Sequence, residues 1–472
     1  MEHHTAIVIG AGISGLATAW WMHCAGIDVA VLESGPAVGG TMKTVKADGW
    51  LIETGPNSAL ETTPLLRRLS SEIGIEHELI YANEAADNRY ILRNGALHPL
   101  PMKPGLFLKS RLWSTSGKLR LLKEPFIGRA SKEETIAEFV ERRLGKEFLD
   151  YAINPFVAGV YAGNPEQLSV QAAFPKLYAL EKNYGGLVKG QIMGRRERKK
   201  RAETAKDRSR LFSYTSGMQA LPDAIGKKLA DRIRLGFNVE TITRVSENGT
   251  GSKQSFFAAG RENGKQFSLS ADAVILAVPS HRAAAMIDGL DSALANSLKN
   301  IYYPPVAEVY LGYANGAIRR PLDGFGFLVP EKEHRKILGT IWSSVLFPER
   351  APGGHSALTT FVGGSRQPDL AGLDDGRLVE LVTEELAMIM NIAGAPVFSR
   401  VTRWEKAIPQ YRIGHLSIME TISEFESRYP GIFLSGNFRG GIAVGDCVIN
   451  SELMANRAAA FLSTLKEKTT SA

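Results

Sequence analysis

The chain has 472 residues, 44% of them hydrophobic and 22% charged, a length that implies about three domain-sized units with ample core. No run of about 18 uncharged apolar residues marks a spanning helix, and with only Cys24 and Cys447 present a cysteine-built zinc or iron–sulfur centre is excluded and a reducing compartment fits. The formal net charge of +7 and pI of about 9.2 suit anionic partners, whether membrane lipid, nucleic acid or an acidic substrate.

In chain order, Ala6-Ile7-Val8-Ile9 is an apolar run of strand length, placed so early that no signal or transit peptide is expected before it. It runs into Gly10-Ala11-Gly12-Ile13-Ser14-Gly15, then a helix-like segment carrying Leu16, Ala17, Trp20 and Met22, then a second strand from Val29 to Leu32 that ends in Glu33. Each part suits a dinucleotide. Gly10 allows the tight turn, Gly12 lets backbone approach a pyrophosphate, and Gly15 lets helix pack on strand. The N–H groups at the helix start face phosphate, and Glu33 accepts from ribose hydroxyls. Ser34 follows the acid, and Gly39-Gly40-Thr41 reads as a second meeting of backbone with ligand. Two short strands are expected around Ala47-Asp48-Gly49, and Gly55-Pro56-Asn57-Ser58 makes another glycine turn behind a strand. Such turns, recurring through the opening residues, suggest flavin adenine dinucleotide (FAD) over a nicotinamide cofactor. Thr63-Pro64 opens a helix that Gly74 closes.

Residues 88–94 form a strand-like run closed by Asn94-Gly95. From about 95 to 204 the character changes. Pro99, Pro101 and Pro104 interrupt the chain, and Leu106-Phe107-Leu108 and Leu112-Trp113 lie beside Lys and Arg. Ser131 and Glu134 predict a capping box for a helix carrying Ile136, Phe139 and Val140, with Gly145 at its end. The basic run Arg195-Arg196-Glu197-Arg198-Lys199-Lys200-Arg201 has no aromatic platform beside it, so nucleic acid is not expected as a partner. Further on, Tyr214 to Leu221 opens a helix, Arg234 to Glu240 reads as one strand, and Ala271 to Pro279 reads as a buried strand without a second glycine fingerprint. Phe433-Leu434-Ser435-Gly436 is a strand into a turn, and the stretch Gly441 to Asp446, with Val444 and Gly445, leads to a helix starting near Cys447. A helix N-terminus there would favour negative charge on a reduced flavin.

The N-terminal pattern resembles the flavin amine oxidase superfamily. Four later stretches resemble the oxygen-dependent protoporphyrinogen oxidases: Asn154 to Pro165, Gly324 to Pro330, Leu338 through Ser344 and Phe347-Pro348 to Thr360–Arg366, and Gly436-Asn437-Phe438-Arg439-Gly440-Gly441. Family members usually carry Arg where Ala37 stands, before the Gly-Gly pair, a departure that bears on flavin affinity rather than flavin identity. The resemblance implies an α/β fold with α+β elements. It comprises a discontinuous Rossmann-like FAD domain (1–86, 223–283 and 415–472), a substrate domain with a mixed sheet (87–94, 205–222 and 284–414) and an inserted helical membrane-binding domain (95–204).

The resemblance also implies roles. Arg89 matches an arginine that pairs with a substrate propionate, which a planar guanidinium can grip bidentately. The backbone carbonyl of Gly159 matches a position near the reacting edge, so these two residues stand closest to the chemistry. Leu328 and Ile341 match residues that sandwich a pyrrole ring, and Phe361 an aromatic that packs on the next. Non-covalent FAD would lie on Gly10, Gly12, Ile13, Ser14, Gly15, Glu33, Ser34, Gly39, Gly40, Thr41, Gly55, Pro56, Asn57, Ser58, Val239, Ala277, Gly436, Val444 and Gly445. Trp404, Pro409, Tyr411 and His415 match a pattern read as structural, with Trp404 counted also among the cofactor contacts. The implied reaction is the six-electron oxidation of protoporphyrinogen IX to protoporphyrin IX with oxygen as acceptor; the alternative is oxidation of coproporphyrinogen III to coproporphyrin III. An amine oxidase would need an aromatic cage, whose pattern is missing, and a flavin-dependent scaffold is the non-enzymatic alternative. Expected partners are a tetrapyrrole substrate and a lipid surface, with room for a homodimer and for hand-over to ferrochelatase. The expected place is monotopic on the cytoplasmic face of the cell membrane, or the cytoplasm, and no metal is expected.

Overall fold

The strand His3–Ile9 is buried from Ala6 onward because it has a parallel neighbour on each side. Ala6 pairs with Val29 of the strand Val29–Glu33, and Ile9 with Leu276 of the strand Lys265–Leu276. A strand buried in this way reads as a continuous apolar run, as Ala6 to Ile9 does. The computed structural model that shows this describes residues 2–101, 103–194, 210–246 and 254–470. The sheet runs in the order Ile233–Leu235, Val29–Glu33, His3–Ile9, Lys265–Leu276, Gln254–Glu262, Phe237–Ser246, with Ile432–Leu434 also pairing in parallel with Lys265–Leu276. Strands from both ends of the chain thus share one sheet. On one face pack the helices Ile13–Cys24, Leu65–Glu72, Ala220–Lys228 and Val444–Thr470, through Leu16, Leu66, Leu221 and Val448. On the other pack Ser280–Ile287, Ser292–Lys299 and His415–Arg428, through Ala283, Leu294 and Phe425.

A second seven-stranded sheet has the order Phe398–Trp404, Val306–Ala314, His355–Gly363, Gly339–Ile341, Gly324–Leu328, Asn88–Arg93, Ala96–Pro99. It is antiparallel except where Gly324–Leu328 meets Asn88–Arg93 in parallel, so it is mixed, as expected. Its second strand, Val306–Ala314, is buried on both faces. Ala307, Val309, Leu311 and Tyr313 pack with the helix Asp375–Met390 through Leu378, Val382 and Leu386. The alternate residues Val306 and Tyr310 face the other way, towards Ala158 and Phe361 and towards Trp50 and Ile52 respectively. Period-two alternation therefore gives this strand one face for its own core and one for the first sheet's loops.

After the strand Ala96–Pro99, short helices joined by loops make up residues 104–193. The helix Ile136–Arg143 brings Ile136, Phe139 and Val140 against Leu149, Val157, Leu168 and Leu187. Its capping box is Thr135 with Glu138, not Ser131 with Glu134. Glu134 instead pairs with Arg142 at 2.5 Å. Beneath this helix, Arg143 is fully buried and bridges Glu124 at 3.0 Å and Glu181 at 2.5 Å. Glu124 also accepts from the backbone of Leu187 at 2.7 Å and Val188 at 3.1 Å, which caps the helix Leu187–Met193.

Two further expectations are corrected. The single strand read over Arg234–Glu240 is broken at Gly236, whose φ of +70° ends one strand and starts the next. The C-terminal helix begins at Val444, a turn before Cys447. The basic run 195–201 lies outside the described residues.

Candidate active site at a flavin cleft

The Gly10–Gly15 turn is built by close approach. Gly10 has φ +102°, and a Cβ there would stand 2.6 Å from the carbonyl oxygen of Ala277. At Gly15 a Cβ would stand 1.9 Å from the carbonyl oxygen of Gly10, so this glycine serves packing of helix on strand. Gly12 is different: a Cβ there meets nothing within 4 Å, because the position opens onto a cleft. Gly39 hydrogen-bonds the same turn, its N–H donating to Ala11 O at 2.8 Å. A Cβ on Gly40 would come 3.2 Å from Gly12 Cα. The second glycine pair thus closes the cleft beside the first.

The cleft has a volume of about 320 Å³. Of the expected cofactor residues it is lined by Gly10, Gly12, Ile13, Ser14, Glu33, Ser34, Gly39, Gly40, Thr41, Pro56, Val239, Ala277, Gly436 and Val444. The others are not part of its lining. Gly55 fits against Thr41 O, where a Cβ would be 2.0 Å away. Asn57 donates to Gly55 O at 3.2 Å and to Glu308 at 3.4 Å. The Trp404 indole donates to Thr54 O at 2.7 Å, supporting the turn from below. A Cβ added at Gly445 would come into ordinary contact with Leu66 Cδ1 at 3.5 Å and Leu60 O at 3.6 Å. Neither Gly15 nor Ser58 lines the cleft. Glu33 accepts from Ala11 N at 2.8 Å and Gly35 N at 2.7 Å, so its carboxylate braces two turns and keeps lone pairs for a ligand.

Sequence reasoning missed His281, Arg282, Cys447 and Asn437, all on the cleft. The first two follow Pro279 at the carboxyl end of a parallel strand, where ligands of doubly wound sheets bind, and that signal was available. Burial, then the positive charge of Lys406 and Arg282, pushes His281 down to about 4. Burial pushes the Cys447 thiol up to about 11, so it is not a thiolate nucleophile at neutral pH. Among the described residues no cluster of His, Cys, Asp or Glu could hold a metal ion.

These residues fit a flavin dinucleotide. The cleft opens on the start of Ile13–Cys24 at one place and of Val444–Thr470 at another, and unsatisfied N–H groups at helix starts favour anionic groups. The two helices are tied together where Ser451 Oγ donates to Ser14 O at 2.9 Å. The vacancy at Gly12 is the space a side chain would take from a ligand.

The expected substrate residues lie on the second sheet, gathered by register. Arg89 and Ile341 both stand opposite Gly326, and Ile341 stands opposite Thr359, which faces Tyr310. The next row reads Ile91, Leu328, Gly339, Phe361, Glu308, Thr402. Gly159, on the helix Asn154–Tyr161, meets this row: a Cβ there would lie 2.4 Å from Leu328 Cδ2. Arg89 is exposed, and its guanidinium lies 5.7 Å above the Phe325 ring with no ion pair among the described residues. This face meets the cofactor side through Trp50, which stacks on Phe398 at 5.3 Å, and through Asn57.

A doubly wound sheet, a glycine-built cleft and strands from both chain ends define a flavin-dependent oxidoreductase, and FAD is its cofactor. A sequence model for "Flavin containing amine oxidoreductase" matches residues 13–458, and the chain belongs to that family. Among similar proteins, "Protoporphyrinogen oxidase 2, chloroplastic/mitochondrial" of Arabidopsis thaliana is 34% identical over 93% of this chain and 91% of its own. "Coproporphyrinogen III oxidase" of Bacillus subtilis is 32% identical over 97% of this chain and 98% of its own. A crystal structure from Exiguobacterium sp. 255-15, assigned provisionally as a protoporphyrinogen oxidase, superposes with a TM-score of 0.79. It is 24% identical and covers 98% of this chain and 99% of that one, a likeness of fold.

Proposed function

We propose that the chain oxidises protoporphyrinogen IX to protoporphyrin IX, with oxygen as the final acceptor. The observation that carries this reading is the register that gathers Arg89, Ile341, Leu328 and Phe361, with Gly159, on the sheet face beside the FAD cleft. Bound FAD supplies two-electron acceptor chemistry, used three times for the six electrons. The protein binds, orients and dries the macrocycle. Leu328, Ile341 and Phe361 offer apolar surface to pyrrole rings, Arg89 offers a charged fork to a propionate, and the Gly159 carbonyl faces the ring edge. Relatives named for this activity support the reading.

A second reading, oxidation of coproporphyrinogen III, is favoured by the full-length likeness to the Bacillus subtilis protein. That substrate carries four propionates and would ask more cations of this wall than Arg89 alone.

We further infer a lipid-facing surface on residues 104–193. Leu108, Leu122, Phe126 and Ile192 are 70%, 70%, 89% and 71% exposed there, and apolar side chains exposed among Lys and Arg suit anionic lipid. No helix among the described residues is long and apolar enough to cross a membrane.

The test of the substrate reading is Arg89→Ala. With protoporphyrinogen IX it raises KM about tenfold, the loss of one charge-assisted contact, while FAD content stays full. Unchanged kinetics would remove Arg89 from the substrate site.

A further inference from the structure

Glu308 lies 4% exposed on the second strand of the second sheet, and the group that hydrogen-bonds it is an amide rather than a cation. Its position is set by register: it stands directly opposite Phe361 on one side and Thr402 on the other. It therefore continues the row that begins Leu328, Gly339, Phe361. Along its own strand it falls between Val306, which packs with Ala158 and Phe361, and Tyr310, which packs with Trp50 and Ile52. Above it is the Gly55–Ser58 turn, whose Pro56 lines the FAD cleft and whose Asn57 donates to Glu308 Oε1 at 3.4 Å. Glu308 is thus the acid at the seam where the cofactor loop meets the substrate wall.

Among the described residues no counter-ion pairs with it. The neighbouring charge is Glu53, on the hairpin strand Trp50–Glu53. That carboxylate pairs with Arg350 at 3.0 Å and accepts from Thr44 Oγ1 at 2.7 Å and Met218 N at 2.9 Å. Arg350 also donates to Ser213 Oγ at 2.6 Å. Burial first, and the charge of Glu53 besides, hold the Glu308 carboxyl well above the usual carboxylate range, with the Asn57 hydrogen bond opposing. An ionised carboxylate here would be buried, unpaired and next to another acid, which is the costly arrangement.

We propose that Glu308 is a positioning residue for the redox reaction: it accepts from Asn57 and so holds the Gly55–Ser58 turn between the FAD cleft and the Leu328–Phe361 row. This rests on the reading of that row as the substrate wall. The hydrogen bond from Asn57 fixes the turn, and a proton on the carboxyl keeps negative charge away from the FAD cleft that Pro56 lines. When Glu308 ionises, a charge appears at the seam, and bound flavin becomes harder to reduce.

The test uses FAD-loaded wild type, Glu308→Gln and Glu308→Leu. Visible flavin bands and midpoint potential are followed from neutral to alkaline pH in the absence of any porphyrinogen, and the rate of flavin reduction is read separately with protoporphyrinogen IX as the reductant. The wild type is expected to show an ionisation, and with it a fall of the potential with pH steeper than the one that proton uptake by the flavin itself gives, that Glu308→Gln lacks. Glu308→Leu, which cannot hold Asn57, is expected to keep FAD while reducing about tenfold more slowly. Identical pH dependence in wild type and Glu308→Gln would overturn the proposal. The nearly isosteric Gln variant carries this comparison even if the Leu variant folds poorly. Because the potential is read without substrate, failure of every porphyrinogen to reduce the flavin would count against the substrate reading and leave the Glu308 result standing.

Discussion

Gly12 and Gly15 lie three positions apart and carry different burdens. A methyl at Gly15 collides with Gly10 O at 1.9 Å, whereas one at Gly12 enters the cleft and touches no protein atom within 4 Å. Gly12→Val is therefore expected to fold with a melting temperature near the wild-type apoprotein's yet bind FAD at least about tenfold more weakly, by fluorescence titration. Gly15→Val is expected to lose stability instead, by about 2 kcal/mol or more, as backbone and helix are forced apart. The reverse pattern would mean that the cleft above Gly12 is not where the dinucleotide lies. These roles were legible from spacing alone, because a glycine turn between strand and helix is a local signal. Glu308 was not legible. A single Glu in Val306-Ala307-Glu308-Val309 gives no sign of what stands across from it, and its neighbours Phe361 and Asn57 are supplied by distant parts of the chain.

At the scale of elements, the helical stretch rests on buried charge. Arg143 is fully buried between Glu124 and Glu181, and Glu124 in turn caps Leu187–Met193. Removing one member of such a group leaves a bare charge in the interior, at a cost of about 3–5 kcal/mol. Arg143→Met is expected to raise hydrogen exchange across residues 121–193 while the His3–Ile9 and Lys265–Leu276 strands stay protected, a local opening rather than a global one. Uniform loss of protection would contradict this. The sequence showed that a helix runs through Ile136, Phe139 and Val140 but misplaced its cap. Ser131/Glu134 and Thr135/Glu138 carry the same spacing, and the choice falls to Thr135 because it also bridges to Ser169. Likewise Leu328, Ile341 and Phe361 are each ordinary strand residues in isolation. Only pairing across the sheet sets them on one face.

For the whole molecule, the first sheet joins both chain ends at the flavin cleft, and the second sheet turns one face towards it. The helical stretch adds Gly159 to that face and presents Leu108, Leu122, Phe126 and Ile192 to the outside. If that outer surface meets lipid, Leu122→Ser with Phe126→Ser should cut sedimentation with anionic vesicles several-fold and leave FAD content unchanged. Equal sedimentation would move the lipid contact elsewhere. The account stands or falls on whether the wall beside the cleft receives a porphyrinogen. The most direct measurement is anaerobic stopped-flow mixing of the FAD-loaded protein with protoporphyrinogen IX and, separately, with coproporphyrinogen III. Rapid bleaching of the flavin band by protoporphyrinogen IX, and slow bleaching by coproporphyrinogen III, is the predicted result. The opposite preference would assign the wall to the four-propionate substrate, and bleaching by neither would contradict the porphyrinogen reading.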